Sequence, residues 1–167
     1  MPDFDGVAIL AVLVSHQVDC IVIGGWAAGA HGSPMLTEDV DVVPDSDRDN
    51  LARLSTALTE LDARIRNGDE EPLPFRHDAT SLAGSVFWNL TTTYGDLDLS
   101  FTPSGTQGYA DLRRDALTIT VRGTPIVLAS LADIIRSKEA AGRDKDRRAL
   151  PILRELLAEQ LRAKRTS

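Results

Sequence analysis

The chain is poor in several features that would settle its class at once. With one cysteine, Cys20, in 167 residues it cannot form an intrachain disulfide, so a small secreted scaffold braced by disulfides is excluded. No apolar run approaches the roughly 20 residues of a membrane-spanning helix. The longest, VAILAVLV, has acidic rather than basic flanks and no cleavage signature, and does not read as a signal peptide. Internal repeats, heptads and low-complexity tracts are missing. His16, His31 and His77 show no paired metal-ligand spacing, and there is no Gly-x-Ser-x-Gly nucleophile motif. What is left is an ordinary globular composition, 43% apolar and 26% charged. Residues 1–167 are expected to form a single domain, in the cytoplasm, that buries about 70% of its unfolded surface.

Charge is unevenly spread. The net charge is −7, yet residues 1–112 hold 5 Lys/Arg against 18 Asp/Glu, a balance of −13, and residues 113–167 hold 13 against 7, a balance of +6. An acidic body can hold cations and a basic tail can attract a polyanion, although a basic helical face that only aids solubility fits the same numbers.

Periodicity sketches the elements. Residues 4–17 read as a helix with Val7, Leu10, Leu13 and Val14 on one face. CIVI (20–23) is a buried strand, WAAGAH after Gly24-Gly25 is helical, and 39–43 is a second strand. Ser46 and Asp49 form a capping box for a helix carrying Leu51, Leu54, Leu58 and Leu61. Residues 67–78 are a loop, 85–93 are β-prone, and DLDLSF (96–101) alternates as a half-buried strand. After the loop 102–108, residues 117–121 and 126–128 make a hairpin. Two helices follow, from Ser130 and from about Asp144, the second expected to kink or break at Pro151. Strands interleaved with helices predict an α/β (α+β) fold, a mixed twisted sheet flanked by helices.

Three carboxylates stand out on this frame. Residues i and i+2 of a strand face one way, about 6.6–6.8 Å apart, so Asp39 and Asp41 share a face. They repel unless water or cations lie between them, and a pair of Mg²⁺ ions suits such oxygen donors. Asp98, on the alternating strand, is a candidate third ligand. One Asp-x-Asp strand is most simply a solvated polar face; two, with Gly24-Gly25 upstream where backbone N–H groups can approach phosphate, favour a site.

Lys138 is a further anomaly. Ser130 and Asp133 cap a helix whose apolar stripe is Leu131, Ile134 and Ile135, and Lys138 falls on that stripe. It either snorkels to water or points its ammonium into a phosphate-rich site. The stripe of the last helix, Leu150, Leu153 and Leu157, leads one turn back to Asp146, which either orients Lys138, binds substrate or metal, or simply meets water. Arg143, Lys145, Arg147 and Arg148 surround it.

Gly24-Gly25, thirteen residues and then Asp39-Val40-Asp41-Val42 resemble the signature of the DNA polymerase β-like nucleotidyltransferase superfamily. YGDLDL (94–99) looks like that superfamily's third-carboxylate strand, with Asp98 the better match than Asp96. SKEAAGRDKD (137–146) is similar to a segment of the AbiEii-type branch, which includes toxin nucleotidyltransferases of toxin–antitoxin modules. The resemblance implies a catalytic core over 1–128 and C-terminal helices over 129–167 that contribute Lys138 and Asp146. It implies transfer of a nucleoside monophosphate from a nucleoside triphosphate to an acceptor hydroxyl, with Asp39, Asp41 and Asp98 holding two Mg²⁺ (or Mn²⁺) ions. Gly24, Gly25, Thr37 and Lys138 would meet the nucleotide. The branch and the basic C-terminal segment together favour RNA as acceptor, such as the tRNA 3′ end, with a cognate antitoxin as protein partner and no membrane. A small-molecule antibiotic or a protein acceptor, or a nucleotide-binding protein without turnover, are the alternatives. The resemblance departs at Met35, where many relatives carry arginine, while Thr37 is retained.

Overall fold

The computed structural model describes residues 3–166. In chain order the elements are α1 (Gly6–Ser15), β1 (Cys20–Ile23), α2 (Gly24–Ala30), β2 (Asp39–Pro44), α3 (Arg48–Glu60), β3 (Arg64–Ile65), α4 (Ala79–Ala83), β4 (Phe87–Thr92), β5 (Gly95–Ser100), α5 (Tyr109–Arg113), β6 (Leu117–Val121), β7 (Thr124–Leu128), α6 (Leu131–Ala141) and α7 (Asp144–Thr166). The strands form one mixed sheet in the order β3-β4-β5-β2-β1-β7-β6, flanked by the helices. Among the described residues no helix is long and apolar enough to cross a membrane.

The expected α/β architecture is present, and the centre of the sheet shows why alternation was the right signal. β1 and β2 pair antiparallel, with Ile23 opposite Asp41, and β2 then pairs parallel with β5, with Asp39 beside Asp96 and Asp41 beside Asp98. Val40, Val42, Leu97 and Leu99 are fully buried and join α1 (Ile9, Leu10, Leu13) and α3 (Leu51, Leu54, Leu58) in a common core. Their neighbours Asp39, Asp41, Asp96 and Asp98 therefore lie together on the other side of the sheet. Each fully buried Leu or Val contributes on the order of 1.5–3 kcal/mol, enough to enforce a register in which four carboxylates share a face.

Several boundaries differ from expectation, each for a local reason. The buried face of α1 is Gly6, Ile9, Leu10 and Leu13, while Val14 is exposed, because the helix rolls to seat Ile9 in the core. The N-cap of α3 is Asp47, whose carboxylate accepts from the Asn50 backbone N–H, and Ser46 lies outside the helix. Gly24 and Gly25 form the first turn of α2 rather than a loop before it. Pro151 does not end α7, which runs through it to Thr166 with the proline exposed. The five-residue helices α4 and α5 and the two-residue β3 are too short to leave a periodic signal.

One buried polar side chain ties β1, β2 and α3 together. The Asn50 side chain accepts from Asp19 N at 2.7 Å and donates to Asp19 O at 2.9 Å and Asp45 O at 2.8 Å, while only 1% exposed. Replacing it by leucine removes the side-chain partners of these backbone groups. We expect Asn50→Leu to lose roughly 2–4 kcal/mol in urea unfolding, against under about 0.5 kcal/mol for exposed Asp49→Ala.

Candidate active site

The cleft that receives the carboxylates has a volume of about 550 Å³ and is lined by Gly24, Gly25, Thr37, Asp39, Asp41, Asp98, Lys138 and Lys145, among others. The three carboxylates that the resemblance assigns to metal, Asp39, Asp41 and Asp98, are here. Asp39, Asp41 and Asp98 each offer an oxygen within 4.8 Å of the other two, and the two strands supply them without any loop. They are half-buried, so water screens their repulsion incompletely.

Asp41 records that repulsion. Burial, reinforced by Asp39 and Asp98 and only partly offset by Lys145 and Lys138, pushes its carboxyl up to about 7. Burial also raises the Asp98 carboxyl, opposed by Arg66 and assisted by Asp39. The partners of each carboxylate differ. Asp39 Oδ1 accepts from the Thr37 hydroxyl at 2.8 Å, and Asp98 Oδ1 accepts from Arg66 Nη2 at 2.9 Å. Asp41 has no hydrogen-bond donor among the described residues. A convergent set of hard oxygen donors with lone pairs to spare fits a divalent cation of the Mg²⁺ or Mn²⁺ type, and the donor set suits no soft metal.

The glycine pair earns its place by sterics. Gly24 has φ +77°, and a Cβ on it would run into the Asp41 carboxylate; a Cβ on Gly25 would press on Thr37 at 3.3 Å. Backbone and carboxylate are thus packed closer than any side chain allows. Thr37, expected at the nucleotide, lines the cleft, and its hydroxyl donates to Asp39 Oδ1.

Lys138 lies on the apolar stripe of α6 and is turned into the cleft, its side chain 13% exposed. Asp146, fully buried, receives Lys138 Nζ at 3.4 Å, Arg143 Nε at 2.8 Å and the Arg143 backbone N–H at 3.2 Å. Burial alone would raise its carboxyl, but the Arg143 hydrogen bonds and Lys138 outweigh it and hold the group below its ordinary value. With its oxygens so engaged, Asp146 orients Lys138 and Arg143. The four basic residues around Asp146 are all exposed; Arg143 and Lys145 also line this cleft, and Arg147 and Arg148 do not. The histidines are engaged elsewhere: His16 with Glu60, His31 with Ala129 O and His77 with Ser55.

The residue that sequence reasoning missed is Arg66. It follows a two-residue strand at the start of a charged loop, where no periodicity marks it, and its carboxylate partners lie 30 and 32 positions further on. Met35 and Leu36, in the segment that departs from the expected arginine pattern, line the same cleft, with Leu36 99% exposed.

No protein-family profile matches the sequence, and no curated protein matches it. Solved structures do. The fold superposes on lincosamide antibiotic adenylyltransferase LnuA with a TM-score of 0.61 at 14% identity, over 92% of this chain and 99% of that one. A candidate nucleotidyltransferase of Thermotoga maritima gives 0.56 at 17% identity, over 92% and 90%. The structure of ANT(2″)-Ia with adenylyl-2″-tobramycin gives 0.53 at 16% identity, over 95% and 91%. The chain therefore has the nucleotidyltransferase fold.

The sign of the Asp41 shift yields a test. Its carboxyl titrates at about 7 when folded and near 3.9 when unfolded, so the folded state is favoured at acid pH and loses that advantage as pH rises from 4 to 7. In metal-free buffer, the stability of Asp41→Asn relative to wild type should rise between pH 4 and pH 8 by on the order of 1–4 kcal/mol, as read by thermal and urea unfolding across pH.

Proposed function

We propose that this protein is a metal-dependent nucleotidyltransferase that moves a nucleoside monophosphate from a nucleoside triphosphate to an acceptor hydroxyl. The observation that carries the reading is the convergence of Asp39, Asp41 and Asp98 within 4.8 Å, beside Gly24-Gly25 and Lys138 in one cleft. Asp39 and Asp41 would hold the cations, with Asp98 on the acceptor side; bound there, divalent ions neutralise charge on the phosphate and acceptor oxygens. Lys138, held by Asp146, would meet the triphosphate as a positive charge, joined by Lys145. Gly24 and Gly25 would bring their backbone amides against it. The acceptor oxygen bonds to the α-phosphorus, the bond from that phosphorus to the α–β bridging oxygen breaks, and pyrophosphate leaves while the hydroxyl proton passes to solvent. The chain's contribution is alignment and electrostatics. Residues 1–128 would act as the catalytic core and 129–167 as the helices that deliver Lys138 and Asp146.

RNA, with the tRNA 3′ end first, is the acceptor we propose, supported by the excess of basic residues in 113–167 and by the exposure of Arg147 and Arg148. A toxin-type role with a cognate antitoxin belongs to the same reading. A second acceptor class has its own observation: the cleft is of small-ligand size, about 550 Å³, with apolar Met35, Leu36 and Phe87 on its walls. Of the solved structures that share the fold, one is by name a lincosamide antibiotic adenylyltransferase and another is ANT(2″)-Ia in complex with adenylyl-2″-tobramycin.

Incubation with Mg²⁺, each labelled nucleoside triphosphate and total RNA should release pyrophosphate and label RNA. Asp41→Ala should lower the rate by at least about 100-fold, ~2.7 kcal/mol of barrier. Transfer to RNA should weaken steeply with salt, and Arg147→Ala with Arg148→Ala should flatten that dependence. Label in a small hydroxylated compound instead of RNA selects the second class, and wild-type rates in Asp41→Ala refute the assignment of the site.

A further inference from the structure

Arg66 belongs to neither the glycine turn, the cation cluster nor the lysine–aspartate pair, yet backbone and side chain both tie it into the sheet. Its backbone N–H donates to Asn89 O at 2.9 Å, continuing the β3–β4 pairing, and its side chain then reaches across β4 to β5. There Nη2 donates to Leu90 O at 2.8 Å and to Asp98 Oδ1 at 2.9 Å, and Nε sits 3.2 Å from Asp96 Oδ2. Asp96 and Asp98 are two apart on one strand and both face the same guanidinium, Asp98 by a hydrogen bond and Asp96 by an ion pair in which Nε makes no hydrogen bond. The pairing is shielded, with side-chain exposures of 29% for Arg66 and 19% for Asp98.

The three cluster carboxylates are therefore not equivalent. Asp39 has a neutral hydroxyl partner and Asp41 has none among the described residues, while Asp98 alone carries a full positive charge on one oxygen. A guanidinium stays protonated at every relevant pH and its planar fork fixes the orientation of a carboxylate. It presents Asp98 in one rotamer with the second oxygen left over. It also opposes any cation arriving at that oxygen, because two positive charges then share one carboxylate.

We propose that Arg66 is a resident counter-ion of Asp98: it positions this carboxylate on the acceptor side and, by sharing it, keeps the cation affinity of the nucleotide-free protein low. The cluster then becomes a good cation site only when triphosphate oxygens add to the donor set. This inference rests on the nucleotidyltransferase reading of the Asp39–Asp41–Asp98 cluster and adds a positioning residue to it.

The test is Mn²⁺ binding without nucleotide at pH 8, by calorimetry or by electron paramagnetic resonance of the free ion. Wild type, Arg66→Met, Arg66→Gln, Asp98→Asn and the double variant R66M/D98N are compared after each has shown a cooperative thermal transition; the glutamine variant serves if the methionine variant does not fold. Removing the charge should tighten Mn²⁺ binding about tenfold, and the gain should vanish in the Asp98→Asn background. An arginine that served only to hold β3 and β5 together would leave affinity unchanged or lower it. Unchanged or weaker binding in both Arg66 variants, or a gain that persists without Asp98, overturns the proposal. If neither wild type nor the Arg66 variants bind Mn²⁺ even with a non-hydrolysable nucleoside triphosphate analogue present, or Asp41→Asn then binds it as well as wild type, the metal reading of the cluster fails instead.

Discussion

The parallel register of β2 against β5 is the constraint on which the site depends. It sets Asp41 beside Asp98 and Asp39 beside Asp96, and it cannot slip by one residue without turning Val40, Val42, Leu97 and Leu99 out of the core. Hydrophobic burial on one side of the sheet thus enforces electrostatic conflict on the other. Asp41, with its carboxyl pushed up to about 7, shows where that conflict is concentrated. The surrounding structure relieves it unequally: Arg66 holds Asp96 and Asp98, Thr37 holds Asp39, and Lys138 and Lys145 approach Asp41.

The same economy governs the basic side of the cleft. Lys138 sits on the buried stripe of α6 beyond Ile134 and Ile135, where an ammonium is tolerated because Asp146 of α7 accepts from it. Asp146 in turn is fully buried and tolerable because Arg143 donates both backbone and side chain to it. A buried charge of either sign without the other would be strongly destabilising. Two helices therefore deliver a positive charge to a carboxylate-rich cleft through one shared aspartate.

Much of this was legible in the chain because the signals are local. Alternation in DVDVV and DLDLSF reports which residues face the core, and the stripe Leu131, Ile134, Ile135 exposes Lys138 as out of place. Extending the stripe of α7 one turn leads to Asp146, and of the basic residues that surround it in the sequence Arg143 is the one that pairs with it. Arg66 was invisible because its meaning lies in a pairing of β3, β4 and β5 that no local period encodes. The hydrogen bond from the Thr37 hydroxyl to Asp39 is a contact that the sequence does not announce, since it depends on how the segment before β2 folds back on that strand. The cap of α3 slipped from Ser46 to Asp47 because either residue can cap, and the position of the helix in the core decides between them.

The account's central claim is that one carboxylate cluster is the cation site of a nucleotidyl-transfer centre. Anomalous diffraction from crystals grown with Mn²⁺ and a non-hydrolysable nucleoside triphosphate analogue tests it most directly. The account predicts manganese peaks bounded by Asp39, Asp41 and Asp98, with the triphosphate between them and Lys138. Manganese elsewhere, or a triphosphate bound outside the cleft, would contradict it.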